Sequence, residues 1–313
     1  METTTLSEAI RKEALDLGFS KVGIAPAERL EPEGKHLLEW LASGYHGSMD
    51  WMARNAEKRI NPEDVLPGAR SVVAVAMNYY ANVKHSRETT RGKISRYAWG
   101  DDYHAVLGRR LDRLLDFIRS LDPAAMGKVY VDTGPVLDKA WAQRAGIGWE
   151  GKHTNVITPE YGSWVFLGEV ILNMELEYDA PASDHCGSCT LCIEACPTQA
   201  IVEPYVLDSN RCISYLTIEH RGGIPEEFNE KFDNWIYGCD ICQDVCPWNQ
   251  KFSVNTDGQE FSPREFNVAP SLEEWSAMTH EEFAGKFRRS PIKRTKFEGL
   301  QRNVDFVKKH QDA

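Results

Sequence analysis

Two runs of cysteine carry the most specific chemistry in this 313-residue sequence. The first, Cys186, Cys189, Cys192 and Cys196 followed by Pro197, has the spacing C-x2-C-x2-C-x3-C-P. The second, Cys239, Cys242 and Cys246 followed by Pro247, repeats the tail of that pattern. Its leading cysteine is missing, and Cys212 is the one left to supply it through a long inserted loop. Thiolates spaced in this way wrap the irons of a [4Fe–4S] cube, and the fourth cysteine of a run crosses to a neighbouring cube. Eight thiolates for two cubes leave no remainder. The expected sets are Cys186, Cys189, Cys192 and Cys246 on one cluster, and Cys196, Cys212, Cys239 and Cys242 on the other. Two four-thiolate zinc sites or disulfides are the competing uses. Zinc sites usually pair C-x2-C knuckles far apart, and neither alternative accounts for a proline after both fourth cysteines.

A carboxylate is the second candidate. Val129-Tyr130-Val131 reads as a strand, and Asp132-Thr133-Gly134-Pro135 turns from it towards a helix expected over Val136 to Arg144. Asp132 therefore stands at the end of a strand, where α/β sites gather. It could donate a proton if burial raises its pKa, or it could simply cap the helix that follows. The stretch Asp102 to Gly108 compares poorly with the D-x-H-x-x-G corrinoid motif because its glycine comes one place late. A histidine ligand to a corrinoid is therefore unsupported, and His104 alone reads as an ordinary helix residue. No G-x-G-x-x-G or G-x-x-x-x-G-K-[ST] follows a strand, so a dinucleotide or P-loop site is not indicated.

The elements that must position these groups read as a mixed α/β domain. Leu6, Ile10, Ala14 and Leu17 recur at helical spacing before Gly18. Val22 to Ala25 is a short strand, and the apolar run Val72 to Met77 reads as a central strand buried on both faces. Leu107, Leu111, Leu114, Leu115 and Ile118 mark an amphipathic helix, and Trp164 to Leu172 a further strand. The expected division is an α/β domain over 1–180, a ferredoxin-like double-cluster domain over 181–252 and a partly basic segment over 253–313.

Composition bounds the rest. At 42% hydrophobic and 27% charged residues the chain can bury a sizeable core. No apolar run approaches a membrane span, and the polar start lacks the basic and apolar regions of a signal peptide. A soluble, cytoplasmic protein without membrane contact is expected, where thiols serve metals or catalysis. The net charge of −11 argues against nucleic-acid binding by bulk attraction, yet Lys84–Arg96 carries +4 and Lys286–Arg302 carries +6.

Taken with the cysteine runs, several non-cysteine segments resemble the epoxyqueuosine reductase family of cobalamin-dependent iron–sulfur enzymes. They are Glu57-Lys58-Arg59, Arg96 to His104, Val131 to Pro135, Arg144 to Trp149, Arg211 to Ser214 and Tyr237 to Pro247. The resemblance covers nearly the whole chain and implies reduction of epoxyqueuosine to queuosine at the wobble position of tRNA. It implies cobalamin bound without its own base or a histidine, two [4Fe–4S] clusters, and an external one-electron donor of the flavodoxin or ferredoxin type. Asp132 falls on the family's proposed general acid, and Arg59, Ser95, Asp132, Val156, Leu167 and Ser214 fall where its members contact the corrinoid. The chain ends soon after Lys293-Arg294-Thr295-Lys296, so it reads as a short form without the helical-repeat module of many members, and as a monomer. The two basic windows are then the expected tRNA contacts, with Arg288, Arg289, Lys293 and Arg294 the residues to reverse. A reductive dehalogenase-like corrinoid enzyme and a non-enzymatic electron carrier are the alternatives.

Overall fold

The computed structural model describes residues 3–309. Its strands are β1 (Lys21–Pro26), β2 (Ser71–Asn78), β3 (Lys93–Ile94), β4 (Gly127–Tyr130), β5 (Trp149–Glu150), β6 (Val156–Ile157), β7 (Val165–Leu172), β8 (Ile201–Glu203), β9 (Val206–Leu207) and β10 (Trp235–Tyr237). The main sheet has the order β1-β2-β7-β4, and each neighbouring pair is antiparallel. All eight residues of β2 are buried, as its unbroken apolar run predicts. The run reports burial of both faces and not strand direction. Here helices cover both sides of an antiparallel sheet.

Alternation along β2 divides the core in two. Val73, Val75 and Met77 face the helices Thr3–Asp16 and Tyr103–Leu121, packing on Ile10, Leu107, Leu111 and Leu114. Val72, Ala74 and Ala76 face the helices Glu31–Ala42 and Asp138–Arg144, packing on Leu37, Ala140 and Trp141. Gly18, at φ +87°, ends the first helix in the left-handed region that glycine adopts without steric cost.

A third apolar group joins distant parts of the chain. Ile94, Ala98 and Trp99 pack with Ile213, Leu216, Trp235 and Tyr237, and with Trp275, Phe287, Leu300 and Val304 near the C-terminus. Strand β3 pairs in parallel with β10, and the Tyr237 hydroxyl donates to the Pro291 carbonyl at 2.7 Å. Residues 272–307 thus pack against the segment 94–99 and against β10, next to the second cysteine run. No described helix is long and apolar enough to cross a membrane.

Candidate active site

Asp132 sits one residue past Val131, beyond the end of β4, with φ +57°. A non-glycine residue in this region is strained and persists only when its surroundings hold it. Those holds are explicit. Its backbone N–H donates to Asp138 Oδ1 at 3.0 Å. Arg59 Nη1 donates to the carbonyls of Gly134 and Val136 at 3.0 and 3.1 Å, so the turn is clamped at both ends. Arg59 is itself buried, lies over the Trp51 ring, and keeps one unpartnered donor at Nε.

The Asp132 carboxylate meets two donors at one oxygen. Tyr103 Oη donates to Oδ2 at 2.8 Å, and His104 Nε2 lies 3.1 Å from the same atom. The other ring nitrogen of His104 lies 2.7 Å from Asp102 Oδ1, and Lys293 Nζ pairs with Asp102 Oδ2 at 2.7 Å. Desolvation pushes the Asp132 carboxyl up, but the bonds from His104 and Tyr103 outweigh it and the net shift is downward. The condition for a neutral acid, a pKa raised by burial, is thus not met in the resting site: the partners stabilise the anion. His104 loses affinity for its proton by desolvation and more than regains it from Asp102 and Asp132, ending at about 9. His104 is therefore no ordinary helix residue. Its placement could have been suspected from Asp102-Tyr103-His104, where an N-cap residue directly precedes two ring donors.

Beneath the turn lie two further acids that sequence reading missed. Burial and the Asp132 charge push Asp138 up to about 6, and burial followed by Asp138 pushes Glu169 well above the usual carboxylate range. Glu169 is fully buried on β7, and neither of its oxygens meets hydrogen-bond geometry.

Asp132 is 61% exposed even though its walls strongly desolvate it, which is the condition of a group lining a concavity. The ammonium of Lys139 acts on Asp132, Glu150, His153 and Cys212 together. These groups, far apart in sequence, therefore lie within electrostatic reach of one ammonium. Val156 and Leu167 belong to the apolar group of Val136 and Trp141. Ser95 and Ser214 lie on the cysteine side. The Ser95 hydroxyl donates to the fully buried Asp240, which also accepts from Arg96 Nη1 at 2.8 Å. Burial pushes the Cys212 thiol up, and the backbone N–H groups of Tyr215 and Ser214 offset part of that rise. Gly238, at φ +67°, lets this chain pass Ser95, because a Cβ there would come within 2.6 Å of the serine Cβ.

The thiols separate into two sets. Cys186, Cys189, Cys192 and Cys246 line one cavity of about 150 Å³ together with Trp248. Burial, then Cys186 and Cys246, push the Cys192 thiol up to about 11. In the other set burial and then Cys212 and Cys196 push Cys242 well up, while burial and then Cys242 do the same to Cys239. No three His, Cys, Asp or Glu side chains among the described residues close to the spacing of a single ion. The first set surrounds a volume larger than one ion needs. Lys152 Nζ straps its loop by donating to the carbonyls of Gly187 and Cys189 at 2.6 and 2.9 Å. In the second set the Ala200 N–H points at Cys196 Sγ at 3.2 Å, a contact of the kind that tunes cluster potentials.

Comparisons agree with this geometry. Residues 185–249 match the family model of a 4Fe-4S double cluster binding domain, and residues 59–133 match that described as epoxyqueuosine reductase QueG, DUF1730. The chain is 45% identical over 302 residues to the epoxyqueuosine reductase of Cellulophaga algicola, covering 96% of this chain and 98% of that one. It is 49% identical over 286 residues to that of Synechocystis sp., covering 90% and 98%. A crystal structure of epoxyqueuosine reductase with an epoxyqueuosine-modified tRNA-Tyr stem loop superposes with a TM-score of 0.91 at 39% identity, over 98% of this chain and 81% of that one. The Bacillus subtilis enzyme, with its catalytic aspartate loop swung out of the active site, matches at 0.90 and 36%, over 98% and 82%. On a shared fold, a shared double-cluster domain and likeness along almost its whole length, the chain belongs to the epoxyqueuosine reductase family of oxidoreductases.

Proposed function

We propose that the protein reduces epoxyqueuosine in the wobble position of tRNA to queuosine, in the cytoplasm and as a monomer. The net change is removal of the epoxide oxygen as water, with two electrons and two protons consumed. The observation that carries this reading is the likeness, at 45–49% identity over nearly the whole chain, to epoxyqueuosine reductases. Asp132, exposed beyond the end of β4, and the thiol of Cys212 both lie within electrostatic reach of Lys139. The three segments 1–180, 181–252 and 253–313 serve as catalytic domain, electron-transfer domain and basic flank.

The thiol grouping supports one [4Fe–4S] cluster on Cys186, Cys189, Cys192 and Cys246, and a second on Cys196, Cys212, Cys239 and Cys242. Such clusters carry electrons singly from an external donor of the flavodoxin or ferredoxin type. The concavity at Asp132 and the spare Nε donor of Arg59 fit a large polar cofactor in base-off form, with Arg59, Ser95, Val156, Leu167 and Ser214 around it. Cobalamin held there supplies low-valent cobalt chemistry at the epoxide. The protein's own task is then to exclude water, orient the substrate and deliver protons at Asp132 Oδ2. Mass spectrometry of epoxyqueuosine-bearing tRNA treated with the reduced, cofactor-loaded protein tests the substrate. A product lighter by one oxygen atom supports the reading. Unchanged tRNA with fully loaded protein overturns it in favour of a corrinoid reductase acting on another substrate.

A further inference from the structure

The mechanism above needs an acid at Asp132, yet every contact of that carboxylate favours its anion. The proton must be kept elsewhere. A chain of groups leads from Asp132 back into the protein: Asp132 Oδ2 to His104 Nε2 at 3.1 Å, His104 Nδ1 to Asp102 Oδ1 at 2.7 Å, and Asp102 Oδ2 to Lys293 Nζ at 2.7 Å. Asp102 is buried and also accepts the His104 backbone N–H as the helix N-cap, so its position does not depend on the ring. The Tyr103 ring stacks on the imidazole with centroids 4.1 Å apart. The imidazole is thus held in one orientation with a carboxylate at each nitrogen.

We propose that His104 is the proton store of this site, a positioning residue whose Nε2 proton passes to Asp132 and from there to the departing epoxide oxygen. The inference rests on the reading that Asp132 faces the substrate. In the resting site His104 is an imidazolium, its Nδ1–H donating to Asp102 and its Nε2–H to Asp132. As the C–O bond breaks, Asp132 takes the Nε2 proton and passes it to the oxygen, returning to the anion. The neutral ring keeps Nδ1–H on Asp102, and solvent restores the Nε2 proton, so that a second passage along the same chain supplies the second of the two protons that leave as water. Electrons come from the clusters, so the relay moves protons alone. Asp102 selects the tautomer as the buried acid does in a hydrolytic triad, and Lys293 keeps Asp102 ionised.

The direction of titration agrees with the geometry: His104 rises to about 9, Asp102 falls to about 2 and Asp132 is lowered. The charged and titratable groups around the ring are Asp102 with Lys293 behind it, Asp132, and Tyr103. Arg59, Asp138 and Lys139 act through Asp132.

The test is the single-turnover rate of cofactor-loaded, pre-reduced protein on epoxyqueuosine tRNA from pH 5 to 10, for wild type and His104→Gln. Glutamine retains a neutral donor and loses the proton. The ratio of the two rates at each pH cancels the pH dependence of the reductant and the clusters. The expected ratio is about 10- to 100-fold near neutrality and collapses above about pH 9, where wild type loses its stored proton. The variant alone falls steadily from acid pH, because its proton must reside on Asp132. A ratio that stays constant with pH means a structural role and overturns the inference. A second readout is independent of activity. In cluster-loaded protein with 13C-labelled histidine, the ring signal missing from His104→Gln titrates near pH 9 in wild type and lower in Asp102→Asn. Titration at or below the ordinary 6.5 in wild type also overturns it. Absence of turnover by wild type, with the histidine titrating near 9, strikes the substrate reading and leaves the relay standing.

Discussion

Asp138 accepts the backbone N–H of Asp132 at 3.0 Å, so the first residue of the helix Asp138–Arg144 fixes the left-handed conformation at the start of the preceding turn. The proposed acid is thus held in place by a second, desolvated acid. Asp138→Ala removes that hold and lets φ of Asp132 relax. Because a displacement of about 1 Å can cost about 100-fold in rate, turnover should fall at least tenfold while tRNA affinity changes little. Equal losses in kcat/KM and in tRNA binding would show that Asp138 supports the fold at large.

Glu169 is held protonated by burial and by Asp138. An acid whose folded pKa lies above its unfolded value adds nothing below the unfolded pKa, and costs increasing stability as pH rises from there to the folded pKa. Glu169→Gln removes that cost. Its thermal midpoint should match wild type near pH 4.5 and exceed it by a growing margin towards pH 8. A difference that is the same at every pH would mean that Glu169 is not the buried acid described here.

The thiol sets make an exchange experiment possible. Cys246 lines the cavity with Cys186, Cys189 and Cys192, although it closes the second run in sequence. Cys246→Ser should therefore remove the same cluster as Cys189→Ser, leaving about four irons and one identical electron-spin signal in both. If Cys246→Ser instead gives the spectrum of Cys239→Ser, the crossing between runs is wrong.

The basic flank is less free than its composition suggests. Lys293 is paired with Asp102, and Nε and Nη2 of Arg294 each donate to Glu219 at 2.8 Å. Arg288 and Arg289 are exposed. Reversing Arg288 and Arg289 to Glu should weaken tRNA binding and flatten the salt dependence by about two phosphate contacts. Unchanged affinity and slope would remove this face from the tRNA interface.

These results also show what the sequence could and could not convey. The double-cluster domain was readable because cluster ligands keep short, fixed spacings, and β2 because a strand covered on both faces must be apolar throughout. The helix of Leu107, Leu111, Leu114 and Ile118 followed from its period. The relation of His104 to Asp132 was not readable, since it joins a helix start to a turn 28 residues away through one sheet edge. Nor was Glu169, whose strand neighbours are apolar and whose burial depends on the helix packed above it. The lowered pKa of Asp132 had the same origin: its partners come from another element, and local sequence reports only that a carboxylate ends a strand.

The central claim is a cobalamin-dependent epoxide reduction protonated at Asp132. Its most direct test is single-turnover conversion of epoxyqueuosine tRNA by protein carrying both clusters, with cobalamin, without it, and with cobalamin in Asp132→Asn. The account requires queuosine from the first sample alone, with the variant slower by about 100- to 10,000-fold and still carrying its irons and corrinoid. Conversion without cobalamin, or an Asp132→Asn variant as fast as wild type, would contradict it.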